Sequence, residues 1–135
     1  MIYLADANLL IASALPNHVN HAAARKWFDE GPDFATTPIT ELALIRVITH
    51  RSHGVAFADA LAALQAIKEL SNHRFWPADL EVSSRVFNGE ISSGHTTDAY
   101  LLALAGQNDG KLATFDHGIR KIAGGLERHL EVLIP

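Results

Sequence analysis

Four carboxylates define the chemistry open to this chain. Asp6 ends the mostly apolar run of residues 1–5, Glu41 sits in PITELALIRVITH, Asp98 in TTDAYLLALA and Asp116 in KLATFDHG. Oxygen ligands of this kind select hard cations, Mg²⁺ or Mn²⁺. Such a site suits phosphodiester hydrolysis, in which one cation acidifies an attacking water and a second steadies the leaving oxygen. Each acid also has an ordinary use. Asp6 can cap a helix starting near Ala7, Glu41 and Asp98 can answer the positive amino end of a helix, and Asp116 can shape a turn. Two patterns favour a shared site. At helical spacing Asp98 falls on the stripe of Leu101, Leu102 and Ala105, and Glu41 on that of Leu44, Ile45 and Ile48. A surface acid more often sits opposite the apolar stripe. Inward carboxylates repel one another unless a cation or a proton holds them together.

The elements that must hold these acids alternate between strand and helix. Residues 1–5 read as a buried strand with Asp6 at its carboxyl end, and residues 9–15 as a short helix stopped by Pro16. Residues 22–30 form an amphipathic helix with Ala24, Trp27 and Phe28 on one side, ended by Gly31-Pro32. Residues 33–37 are a second strand. Thr37 then caps a helix with Pro38 at its first position, running to His50. An alanine-rich helix covers 56–70, a brief strand 74–76, and a further helix 80–87. The glycine- and serine-containing segment 88–95 reads as loop, and Thr96 or Thr97 caps a helix to Gln107. Strand 111–114, a short helix 118–122 and an edge strand 131–134 complete the chain. This alternation predicts one α/β domain over residues 1–135, a three-layer α/β/α, Rossmann-like arrangement around a mostly parallel sheet of four to five strands. In such a sheet, strand carboxyl ends and the amino ends of the following helices share one edge, so all four acids are expected there. Asn8 and Thr114 lie close by as groups that could orient a carboxylate or a water, or simply cap strand ends.

Composition narrows the classes. Of 135 residues, 48% are hydrophobic and 19% charged, the balance of a folded globular chain. There are no cysteines, which excludes disulfides, thiolate metal sites and cysteine nucleophiles and fits a cytoplasmic location. No apolar run approaches a membrane span, and the N-terminus lacks the basic region of a signal peptide. The net charge is −4, from 11 Lys and Arg against 15 Asp and Glu. That argues against a general nucleic-acid binder. With four acids committed to a metal site, however, the remaining 11 balance the 11 Lys and Arg, so a nuclease with a local basic rim stays open.

Taken as an ordered set, these motifs resemble the PIN domain, and within it the VapC-type toxins of bacterial toxin–antitoxin pairs. The matching segments are Asp6-Ala7-Asn8, Thr40-Glu41, residues 97–105 (TDAYLLALA) and Thr114-Phe115-Asp116, spread over nearly the whole chain. The resemblance implies an α/β/α domain that cleaves RNA with Mg²⁺ or Mn²⁺. It makes Asp6, Glu41, Asp98 and Asp116 the acidic quartet, with Asp6 and Asp98 the most direct metal contacts and Asp116 the less direct. It also implies a homodimer and a cognate VapB-type antitoxin. Glu90 is an additional acid that the shared pattern does not require.

RNA binding needs phosphate contacts. Arg46, Arg51, Arg120 and Lys121 flank the acidic segments, with Arg46 and Arg120 the foremost candidates, and His50, His53, His95 and His117 add partial positive charge. The eight histidines do not form a zinc pattern: no H-E-x-x-H occurs, and neither His18/His21 nor His50/His53 has a second ligand pair at a fitting spacing. A small-molecule phosphatase with an aspartyl nucleophile would want D-x-D after the first strand, where this chain has Asn8. A phosphoacceptor signalling domain would want an acidic pair there and a lysine after the last strand. An inactive site serving only to bind RNA or a partner is the remaining alternative.

Overall fold

The computed structural model describes residues 1–87 and 90–135. Five short strands form one sheet: β1 (Tyr3–Ala5), β2 (Phe34–Thr36), β3 (His73–Phe75), β4 (Lys111–Thr114) and β5 (Leu130–Val132). Their order is β3-β2-β1-β4-β5, and every pairing is parallel. The register aligns Leu4 with Ala35 on one side and with Leu112 on the other. From β1 the chain builds outward through β2 and β3, then returns to place β4 and β5 on the opposite flank. The strand order therefore reverses beside β1, the arrangement that opens a crevice at the strand carboxyl ends.

Alternation along the strands divides the core in two. Leu4, Ala35 and Leu112 face one layer, where they meet α5 (Thr96–Gln107) through Leu101, Leu104 and Ala105. Ala5, Phe34 and Ala113 face the other, under α1 (Ala7–Ala14), α2 (His21–Asp29), α3 (Pro38–Thr49) and α4 (Phe57–Lys68). Strands buried on both faces read as continuous apolar runs, which is why residues 1–5 lack polar alternation. Three layers and five parallel strands are the architecture expected from the sequence. Among the described residues, no helix is long and apolar enough to cross a membrane.

Local features depart from expectation, among them the edge strand, which is Leu130–Val132 and not 131–134, and the first helix, which is Ala7–Ala14 and not 9–15. Residues 80–87 form bends and a turn instead of a helix. Pro77 precedes them, and Ser83 Oγ accepts from Arg85 N at 3.3 Å, a local bond that competes with helical pairing. Buried Val86 and the Tyr100 hydroxyl, which donates to Leu80 O at 2.8 Å, hold the segment on the α5 layer. Helix α5 begins at Thr96 itself, led in by a 3-10 turn over Ser93–His95, so His95 and not a threonine stands at the cap position. Asn88 and Gly89 of the expected loop lie outside the described residues. The third strand is His73–Phe75, one residue earlier than expected, although Trp76 N still donates to Thr36 O at 2.9 Å. Gly110, before β4, is required by space: a Cβ there would overlap Ile2 O and lie 2.7 Å from the Trp76 ring.

Candidate metal centre

Asp6 leaves β1 and caps α1. Its Oδ1 accepts from Ala7 N at 2.8 Å, and its Oδ2 accepts from Thr114 Oγ1 at 2.7 Å. Thr114, the last residue of β4, is the hub of the site. Its hydroxyl donates to Asp6 and accepts from Asn8 Nδ2 at 3.0 Å and from Asp116 N at 3.0 Å. Asn8 Oδ1 in turn accepts from Phe115 N at 3.2 Å, so its amide is oriented from both ends. Asp116 Oδ1 accepts from Gly118 N at 2.8 Å, which closes the turn after β4. The helix-cap and turn roles that the sequence left open for Asp6 and Asp116 are thus both present. They leave further oxygen lone pairs on each carboxylate for other partners.

Asp98 arrives from the first turn of α5, half-buried. Asp98, Asp116 and His95 each bring one potential ligand atom to within 4.8 Å of one another. The charges of this group act on Asp6. Burial pushes the Asp6 carboxyl up from an ordinary value of 3.8 to about 6; the Thr114 hydrogen bond opposes this, and Asp98 and Asp116 reinforce it. Asp98 is also raised, first by burial and then by Asp116, with His95 opposing. The structure therefore brings Asp98, Asp116 and His95 together at the crevice beside β1; Asp6 is not in that group of ligand atoms, but lies near enough for the charges of Asp98 and Asp116 to act on it.

Glu41 is at the same edge but held differently. It lies in the first turn of α3, buried, and Lys68 from the end of α4 reaches both its oxygens at 3.2 Å. Thr36 Oγ1 donates to Glu41 Oε2 at 2.6 Å. The Thr36 hydroxyl has spent its proton there, so His73 Nε2, at 2.7 Å, must donate to it. Burial holds His73 below its ordinary value, against the pull of Glu41, in keeping with a neutral ring in that tautomer. Among the described residues, no hydrogen bond or ion pair links Glu41 to the other three acids.

That contrast tests whether the site suits a divalent cation. Among the described residues, the one ion pair between a carboxylate and Lys or Arg is Lys68–Glu41. Asp6, Asp98 and Asp116 have no such partner, and a deeply buried carboxylate without one is costly. Oxygen donors gathered without a Lys or Arg partner fit Mg²⁺ or Mn²⁺. Arg46 is exposed on α3, and Arg120 is exposed on the 3-10 segment His117–Ile122, with its Nη1 3.5 Å from His117 Nδ1. Sequence reasoning placed His95 only among rim cations. Its position one turn before Asp98 was the available signal for a closer role. Lys68 and Thr36 carried no signal, because their link to Glu41 depends on packing.

Comparison with known proteins agrees with the architecture. The PIN domain family matches residues 3–125. Ribonuclease VapC39 of Mycobacterium tuberculosis is 41% identical over 124 residues, covering 86% of this chain and 89% of the relative. Ribonuclease VapC29 of the same organism is 39% identical over 139 residues, covering 100% and 98%. The crystal structure of M. tuberculosis VapC20, described as a sarcin-ricin loop cleaving toxin, superposes with a TM-score of 0.67 over 92% of this chain and 95% of that one. At 16% identity that likeness concerns the fold. With a five-stranded parallel sheet, acids gathered where its strand order reverses, and relatives matching from end to end, the chain belongs to the PIN-domain family, alongside the VapC ribonucleases.

Proposed function

We propose that this protein is a metal-dependent endoribonuclease of the VapC toxin type, hydrolysing RNA phosphodiester bonds at the crevice beside β1. The observation that carries this reading is the clustering of Asp98 and Asp116 with His95, beside a buried Asp6 on which both acids act, with no Lys or Arg paired to the three acids among the described residues, on a chain 41% identical to a VapC ribonuclease. Asp6, Asp98 and Asp116 would hold Mg²⁺ or Mn²⁺, which when bound supplies charge neutralisation at the phosphate and acidifies water. Thr114 and the Ala7 N–H fix the two Asp6 oxygens, and Asn8 orients Thr114, so little reorganisation is needed when the site is loaded. Glu41 is the outlying fourth carboxylate. Its charge is offset by Lys68, so it shapes the rim and adds little to the central negative charge. Arg46 and Arg120 are the proposed phosphate contacts. By kinship with the VapC ribonucleases, the protein acts in the cytoplasm as a homodimer and is silenced by a VapB-type antitoxin.

The test is cleavage of a pool of structured cellular RNA by purified protein with Mg²⁺, with Mn²⁺ and with EDTA, beside Asp6→Ala. Metal-dependent cutting that the variant loses supports the reading. Folded protein that cuts nothing in either metal, or cutting that persists in Asp6→Ala, overturns it.

A further inference from the structure

His95 is the one member of the central cluster that is not an acid, and four features of its surroundings bear on its use. One of its ring nitrogens lies within 4.8 Å of ligand atoms of both Asp98 and Asp116. Its Nδ1 is 3.2 Å from Ser92 Oγ, a contact that orients the ring. Among the described residues, Nε2 makes no hydrogen bond. Nε2 also faces the Asp116 side: a Cβ built at Gly118 would stand 3.4 Å from it and 3.1 Å from Asp116 Oδ1, and glycine leaves that space open. An imidazole held through one nitrogen, with the other free on the Asp116 side of a two-carboxylate cluster, is the arrangement found around metal-ligating histidines.

We infer that His95 is a direct nitrogen ligand of the metal centre, completing a set with Asp98 and Asp116, and that it makes this site select Mn²⁺ over Mg²⁺. The inference rests on the metal-dependent reading above and adds the identity of the metal. Mg²⁺ strongly favours oxygen donors and near-ideal octahedral geometry. First-row divalent metals accept imidazole more readily, with affinity rising from Mn²⁺ to Co²⁺. Replacing one oxygen donor by nitrogen therefore shifts the balance away from Mg²⁺. Ser92 would act as a positioning residue, through its contact with Nδ1.

Binding of Mn²⁺ to the RNA-free protein, followed by the loss of the free-ion EPR signal, tests this without reference to catalysis. Mg²⁺ and Co²⁺ affinities come from competition against Mn²⁺. Pulsed EPR on protein carrying ¹⁵N-histidine reads a nitrogen bound to Mn²⁺. We expect ¹⁵N coupling in the wild type and its loss in His95→Ala. That variant should also lose about tenfold or more in Mn²⁺ affinity, with a much smaller change for Mg²⁺. His95 sits in a half-exposed 3-10 turn, so circular dichroism should show His95→Ala folded. Asp98→Asn separates the two readings. If it abolishes Mn²⁺ binding while His95→Ala leaves the Mn²⁺/Mg²⁺ ratio unchanged and no ¹⁵N coupling is found, the metal centre stands and the His95 inference falls. Equal loss of both metals in His95→Ala also overturns the selectivity. If Asp98→Asn binds Mn²⁺ as well as the wild type, the metal centre itself is misplaced and both readings fall.

Discussion

Asp6 and Glu41 are both buried acids at the same edge of the sheet, 5% and 9% exposed, yet the protein compensates only one of them with a cation. Lys68 reaches both oxygens of Glu41, and Thr36 adds a hydrogen bond. Asp6 receives two neutral hydrogen bonds and lies within the influence of two further acids. A carboxylate paired in place contributes to the fold as it stands. A carboxylate left with like charges costs stability until something positive arrives, and that stored cost makes binding of a divalent cation favourable.

The largest effect that would sharpen this contrast is on activity. Asp98→Asn keeps size and removes one charge from the uncompensated group, so RNA cleavage should fall by about 10³-fold. Glu41→Gln, at the compensated position, should cost far less. Initial rates on one RNA substrate compare the two, and equal losses would abolish the distinction.

The next effect is on stability and its pH dependence in EDTA. Below about pH 4, Asp6 is protonated in both the folded and unfolded chains. As pH rises, the unfolded chain releases the proton first, while the folded chain keeps it to about pH 6. The folded state binds more protons in that window, so the Asp6 contribution falls between pH 4 and 6 and stays low above it. A shift from 3.8 to about 6 corresponds to about 3 kcal/mol. Asp6→Asn should therefore be more stable than wild type by about that amount at pH 7 without metal, and no more stable at pH 3.5. Urea titrations at both pH values measure it, and a stability difference independent of pH would contradict the account.

Thr114→Val removes the hub hydroxyl and leaves the groups around it, Asp6 Oδ2, Asn8 Nδ2 and Asp116 N, short of a partner. It should destabilise the fold by about 2 kcal/mol and weaken metal binding, both readable by thermal unfolding with and without Mn²⁺. Lys68→Met has the smallest expected effect. It strands the Glu41 charge, but the Lys68 side chain is 31% exposed, so solvent screening limits the loss to about 1 kcal/mol. Chemical denaturation should detect it, with metal affinity at the Asp6 centre unchanged. A large drop in that affinity would show that the two regions are coupled.

The legible parts of this protein were those governed by local pattern. Strands β1 and β4 showed as apolar runs ending at Asp6 and just before Asp116, and the placing of Asp98 and Glu41 in the first turns of α5 and α3 followed from helix signals such as Thr37-Pro38. The helix expected over residues 80–87 did not form, because Ser83 and the contact with Tyr100 set the backbone there. By itself, the sequence determined most of the element types, the parallel sheet and the edge to which the acids were expected to come, because periodicity and capping act over a few residues. Only the tertiary structure decided how those acids divide. Lys68 meets Glu41 from 27 positions away and Thr114 meets Asp6 from 108. Those contacts depend on the packing of α4 against α3 and of β4 beside β1, and no local spacing encodes either one.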